Sequence, residues 1–155
     1  MSKIKAGTKV PEFSLPMTGG GTWRLKDAAG RKLVIYFYPR DMTSGCTRES
    51  QDFRDLTAAF RKAGTDIVGI SRDSVASHEK FVAREALPFP LLADIEEEVC
   101  KLFDVIKEKS LYGKKYLGVE RSTFLLDGGG RLQQAWRKVK VPGHAEEVLE
   151  AAQRL

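Results

Sequence analysis

Cysteine and histidine are both scarce in this sequence: Cys46 and Cys100 are its two thiols, His78 and His144 its two imidazoles. So few cysteines cannot form the disulfide framework of a small secreted domain. They suit a reducing compartment, and a cytoplasmic location is expected. Neither histidine has a Cys, His or carboxylate at metal-ligand spacing, so no metal site is expected, and nothing in the chain asks for a cofactor. A C-x-x-C pair is missing as well. Ser44-Gly45-Cys46 stands without a second thiol, which argues against a dithiol–disulfide oxidoreductase. Long apolar runs are absent: the longest is the six residues Leu33–Tyr38, against the ~20 a membrane helix needs. The opening MSKIKAGTKVPEFSLP has no apolar core of the kind a signal peptide carries, so none is expected. An excess of one charge sign is lacking too. The 26 basic and 21 acidic residues are interspersed and leave a net charge of +5. The densest clusters, Lys114-Lys115 and Arg137-Lys138 with Lys140, read as solvated faces, and no nucleic-acid or membrane partner is expected.

What is present describes a soluble globular chain. Its hydrophobic content is 42% and its charged content 30% over 155 residues, enough for one domain with a real core. No repeat, linker or low-complexity segment breaks it, so residues 1–155 are expected to form a single domain, acting as a monomer.

The informative stretch runs from Leu33 to Phe60. Leu33 to Tyr38 are apolar or aromatic, rich in β-branched and aromatic side chains and too few for a helix, which predicts a buried strand. Pro39 ends it, having no N–H for a ladder. A polar turn leads into a helix, on which Phe53, Leu56 and Phe60 recur at helical spacing with Cys46 seven residues before Phe53. Cys46 therefore belongs to the first turn, on the stripe that faces the sheet. A helix start carries unpaired N–H groups and the positive end of the macrodipole, and both favour a thiolate. Thr43 or Ser44 can cap this helix, and Gly45 lets the backbone approach closely. A space-filling thiol is the bland alternative. A helix start beside a Pro-ended strand is what an activated thiol needs.

The remaining pattern is alternating. Phe13–Leu15 and Thr22–Leu25 predict a hairpin turned at Gly19-Gly20-Gly21; no Lys-Ser/Thr and no strand-to-helix context follow, which favours the hairpin over a phosphate loop. Asp66–Ser71 predicts a second buried strand. Residues 75–86 are helical by pattern, with both histidines on helix surfaces or starts. Leu87–Leu92 returns to the sheet. Ile95, Val99, Leu102 and Phe103 form a third helical stripe. Residues 108–118 read as a loop or hairpin arm with Tyr112 and Tyr116 packing within it. Arg121–Leu126 and Leu132–Trp136 form a hairpin, and residues 144–155 a closing helix. The order β-α-β-α then β-β-α predicts an α/β fold, thioredoxin-like, with a mixed central sheet flanked by helices and an N-terminal β-hairpin.

Pro39-Arg40-Asp41-Met42-Thr43-Ser44-Gly45-Cys46 fits P-x-x-x-T-x-x-C, a motif that resembles that of the peroxiredoxins. The wider string YFYPRDMTSGCTRES resembles the Q-type, or bacterioferritin comigratory protein, subfamily, and KAGTKVPEFSLP is similar to peroxiredoxin N-termini. The resemblance covers nearly the whole chain. It implies a thioredoxin-like fold and a thiol-dependent peroxidase acting on hydrogen peroxide and organic hydroperoxides. By resemblance Cys46 is the peroxidatic cysteine, Arg121 in GVERSTFLLD the active-site arginine, and Glu49 an acidic residue that holds the arginine network.

Thr43 and Pro39 complete the candidate set: the Thr43 hydroxyl can donate to a thiolate and accept from a peroxide O–H, and Pro39 shapes and dries the pocket. Without the resemblance Arg121 and Glu49 read as surface charges, and Thr43 as a cap. The chain departs from the subfamily at Ser44, where many members have Pro, and at Gln51, where many have a resolving cysteine. Residues 78–84, where others carry it, have no Cys. The sulfenic acid on Cys46 is therefore expected to be reduced by an external thiol of the thioredoxin, glutaredoxin or glutathione type. Cys100, beside an apolar stripe, reads as a small buried hydrophobe. Two alternatives stay open: a peroxide-sensing switch that signals to a protein partner, and a two-cysteine peroxidase that uses Cys100 as the resolving residue.

Overall fold

A computed structural model describes residues 4–155; residues 1–3, where the sequence predicts no signal peptide to begin, lie outside the described residues. The described chain opens with an antiparallel hairpin, Ser14–Pro16 (β1) against Thr22–Arg24 (β2). Its turn glycines Gly19, Gly20 and Gly21 all take positive φ. After a short 3-10 turn come Lys32–Phe37 (β3), Ser44–Lys62 (α1), Thr65–Ser71 (β4), Val75–Glu85 (α2), Leu91–Ala93 (β5) and Glu98–Leu102 (α3). A two-stranded arm follows, Ile106–Leu111 (β6) paired with Lys114–Val119 (β7). Ser122–Leu126 (β8), Leu132–Trp136 (β9) and His144–Arg154 (α4) close the chain.

The central sheet has five strands in the order β5-β4-β3-β8-β9. β3, β4 and β5 are parallel, joined by crossovers through α1 and α2, while β8 and β9 run antiparallel. This is the expected thioredoxin-like mixed sheet. β3 lies at its middle, which is why Leu33 to Phe37 are buried without alternation. Its side chains still point alternately to the two faces. Val34, Tyr36 and Tyr38 pack with Phe53 and Phe60 of α1, Phe81 of α2 and Val148 of α4. Leu33, Ile35 and Phe37 pack on the other face with Phe13, Val99, Phe103 and Phe124. On the first face the Tyr36 ring and Leu91 would stand only 2.8 Å from a Cβ at residue 69, so Gly69 leaves the room that Tyr36 fills.

Register positions the site. Phe37 of β3 lies opposite Ser122 of β8. Arg121 therefore arrives beside the carboxyl end of β3, where Pro39 turns the chain towards α1.

Some expectations are corrected. The third helix is only Glu98–Leu102, and Ile95 is 58% exposed, outside any stripe. The Asp94 carboxylate accepts from the backbone N–H of Val99 (3.3 Å) and Cys100 (2.6 Å), so the chain turns at residues 94–97 before the helix can start. Tyr112, at the tip of the β6–β7 arm, is 96% exposed and packs on nothing. His78 and His144 are not surface residues: both are buried, because polar partners from other elements receive them.

Candidate active site

Cys46 occupies the first turn of α1, with Thr43 as the residue before the helix. The turn that leads there is bent by Met42, whose φ of 64° is left-handed, a conformation a non-glycine residue adopts only when the surroundings hold it. The thiol is buried against the sheet at 1% exposure. It belongs to the same buried cluster as Tyr36, Tyr38 and Phe53.

Arg121 reaches this sulfur from the β7–β8 junction. Its Nη2 donates to Cys46 Sγ at 3.5 Å, and its Nη1 donates to Glu49 Oε1 at 2.6 Å. Cys46 and Glu49 stand one turn apart on the same face of α1, so one planar guanidinium spans both. Gly45 permits this: a Cβ at residue 45 would lie 3.1 Å from Arg121 Nη2. The Arg121 backbone carbonyl in turn accepts from Val139 N at 3.0 Å, which fixes the strand end. Burial works against the Arg121 charge, but Glu49 and Cys46 outweigh it and push its pKa up. Burial pushes the Glu49 carboxyl up to about 7, although Arg121 pulls the other way. Glu49 Oε2 is buried without a hydrogen-bond partner among the described residues.

Thus the structure brings Cys46, Glu49, Gly45 and Arg121 together. Thr43 sits beside them, but its hydroxyl neither caps α1 nor points its proton at the sulfur; it donates to the Arg40 carbonyl at 2.9 Å. Pro39 is half-buried at the strand end. Cys100 stands apart. It belongs to the opposite face of the sheet from Cys46, and burial, then Asp94, pushes its thiol up.

Three residues of this neighbourhood escaped the sequence. Lys109 on β6 donates to the Val119 carbonyl at 2.7 Å. Burial and Arg121 push its pKa down while Cys46 pulls it up, so it shares the field of the sulfur. His144 packs against Phe53 and Trp136, bonds Thr123 Oγ1 through Nε2 at 2.8 Å, and is pushed down to about 4 by burial and then by the Arg121 charge, so it is neutral at pH 7. His78 lies 2.7 Å from Asp41 Oδ2, a carboxylate partner that sequence spacing hides because it is 37 residues away. With Asp73 these offer ligand-type atoms within 4.8 Å of one another. They hydrogen-bond with each other and with their neighbours, which is how a buried polar cluster is satisfied without a cation.

A thioredoxin-like sheet that presents a buried cysteine at a helix start, gripped by an arginine, defines a thiol-based redox protein. Residues 6–135 match the AhpC/TSA family. The chain belongs to that family, in its Q-type peroxiredoxin (bacterioferritin comigratory protein) branch. It is 56% identical over 141 residues to Peroxiredoxin Bcp of Xanthomonas campestris, covering 90% of this chain and 88% of that one. It is 48% identical to Peroxiredoxin Bcp of Bacillus subtilis, covering 95% and 94%. Among solved structures it superposes on PrxQ of Xylella fastidiosa with a TM-score of 0.94 at 41% identity, over 99% of this chain and 98% of that one.

Proposed function

We propose that this chain is a thiol-dependent peroxidase in which Cys46 is the reacting thiol. The observation that carries the reading is the Arg121 guanidinium, 3.5 Å from Cys46 Sγ and anchored to Glu49. The Cys46 thiolate attacks the terminal oxygen of a hydroperoxide, R–O–OH. The S–O bond forms as the O–O bond breaks, leaving Cys46–SOH and R–O⁻, which takes a proton to become an alcohol or water. Arg121 and the N–H groups at the start of α1 stabilise the charge that moves onto the leaving oxygen. Thr43 spends its proton on Arg40, so its lone pairs remain to accept the peroxide O–H. Pro39 flanks the entrance and limits water. A solved structure of the Xanthomonas campestris bacterioferritin comigratory protein, 49% identical, is described in terms of alkyl peroxide reduction. That supports organic hydroperoxides beside hydrogen peroxide as substrates.

An external thiol, of the thioredoxin, glutaredoxin or glutathione type, reduces the sulfenic acid. What supports this is the sheet itself: Cys100 lies across it from Cys46, and Gln51 and α2 supply no thiol. We take residues 1–155 as one domain working as a monomer in the cytoplasm. No helix among the described residues is long and apolar enough to cross a membrane. The test is steady-state peroxide consumption with added thiol. Wild type turns over many equivalents and Cys46→Ser none. Consumption of a single equivalent per chain would instead mean a sensor, and turnover surviving in Cys46→Ser would remove the assignment.

A further inference from the structure

The turn that feeds Cys46 is pinned by a buried network that the peroxide step does not touch. Asp41, five residues ahead of Cys46, is its centre. Tyr38 Oη donates to Asp41 Oδ1 at 2.6 Å, and Ser77 Oγ donates to Oδ2 at 2.8 Å. The Asp41 backbone N–H donates to Asp73 Oδ2 at 2.9 Å, which also accepts from Ser71 Oγ. His78, fully buried, sets Nδ1 2.7 Å from Asp41 Oδ2 and Nε2 2.9 Å from the Leu92 carbonyl. A carbonyl only accepts, so Nε2 carries a proton, and a second proton lies between Nδ1 and Oδ2. Through these bonds α2, the β4–α2 connection and β5 all hold one turn. The turn needs holding: Met42 within it is left-handed, and the Thr43 hydroxyl does not cap α1.

Depth gives this restraint a chemical consequence. Cys46 is 1% exposed. A hydroperoxide need bring only its terminal oxygen to the sulfur, whereas a thiol that must form an S–S bond carries a bulkier group and needs the start of α1 to move outward.

We infer that His78, acting through Asp41, is a positioning residue: it keeps the turn of residues 39–43 closed so that Cys46 meets Arg121, and thereby opposes reduction of the sulfenic acid. This rests on Cys46 being the reacting thiol. In the opposed step Cys46–SOH and R–SH give Cys46–S–S–R and water; a second thiol then takes the R sulfur as a disulfide and returns Cys46–SH. Losing one buried hydrogen bond to a charged partner shifts an open–closed balance by on the order of tenfold or more.

The experiment measures two rates on the full chain: Cys46 with hydrogen peroxide, and the resulting sulfenic acid with dithiothreitol. His78→Gln keeps an amide for the Leu92 carbonyl and loses the Asp41 contact. It is expected to raise the ratio of the thiol rate to the peroxide rate by about tenfold. His78→Asn keeps a donor towards Asp41 and returns the ratio towards wild type. A merely structural role lowers both rates together, so an unchanged or lower ratio in His78→Gln overturns the inference. Should that variant not fold, Ser77→Ala removes a bond to the same Asp41 oxygen from a half-buried position, and the same rise or its absence decides. If wild type forms no sulfenic acid on Cys46, the reading of the site fails instead.

Discussion

Glu49→Gln isolates the most unusual group in the site. The Glu49 side chain is 1% exposed, with Oε1 on Arg121 Nη1 at 2.6 Å and Oε2 without a partner among the described residues. Burial raises its carboxyl from the ordinary 4.5 to about 7, against the pull of Arg121. The folded chain thus holds a proton that the unfolded chain has released anywhere between those values. The unfolded state binds fewer protons there, so the stability this group contributes is present at low pH, falls as pH rises from 4.5 to about 7, and is flat above. At ~1.4 kcal/mol per pH unit the loss is about 3 kcal/mol. Gln cannot titrate. Between about pH 4.5 and pH 8 the variant should therefore gain about 3 kcal/mol relative to wild type. Urea unfolding of both proteins across that range, followed by Trp23 and Trp136 fluorescence, measures it. Stabilities that change in parallel would refute a buried, high-affinity proton on Glu49.

Other substitutions test the remaining geometry. Arg121→Ala removes the donor to the sulfur and should slow peroxide reduction by about 10²–10³ in stopped-flow; an unchanged rate counts against the arginine. Gly45→Ala puts a Cβ 3.1 Å from Arg121 Nη2, and the forced shift should cost up to about tenfold in the same rate with the circular dichroism unaltered. A rate equal to wild type would show that the guanidinium moves aside freely. Phe53→Ala empties a fully buried position where the ring stacks 4.8 Å from Tyr36, so chemical denaturation should show a loss of about 3–5 kcal/mol. A loss under ~1 kcal/mol would mean that the core collapses around it.

How much of this was legible in the sequence follows from where each signal lives. The β3–turn–α1 unit was readable because the information is local: six apolar residues, Pro39, then a stripe containing Cys46. The alternation of strands and helices foretold a mixed sheet, but the order of strands within it is set by long-range pairing that no local pattern encodes. Arg121 was reachable only through a resemblance, since its burial arises from β3–β8 register, which no local pattern encodes. Glu49 read alone as a surface carboxylate for the same reason. His144 does open a helix as expected, but the burial of His78 and His144 was missed because a buried polar side chain is defined by partners far along the chain, Asp41 and Leu92 for one and Thr123 for the other. Ile95 was drawn into a helix by its spacing, whereas the Asp94 carboxylate delays the helix start. The Thr43 hydroxyl had several acceptors within reach, and sequence alone could not choose among them.

The central claim is that peroxide oxidises Cys46 to a sulfenic acid that an external thiol, and not Cys100, resolves. Peptide mass spectrometry of wild-type protein treated with one equivalent of peroxide, with a sulfenic-acid trap and without reductant, tests it most directly. The account predicts the trap adduct on the peptide carrying Cys46 and an unmodified Cys100, with Cys100→Ser turning over like wild type when thiol is supplied. A Cys46–Cys100 disulfide peptide, lost together with turnover in Cys100→Ser, would contradict it.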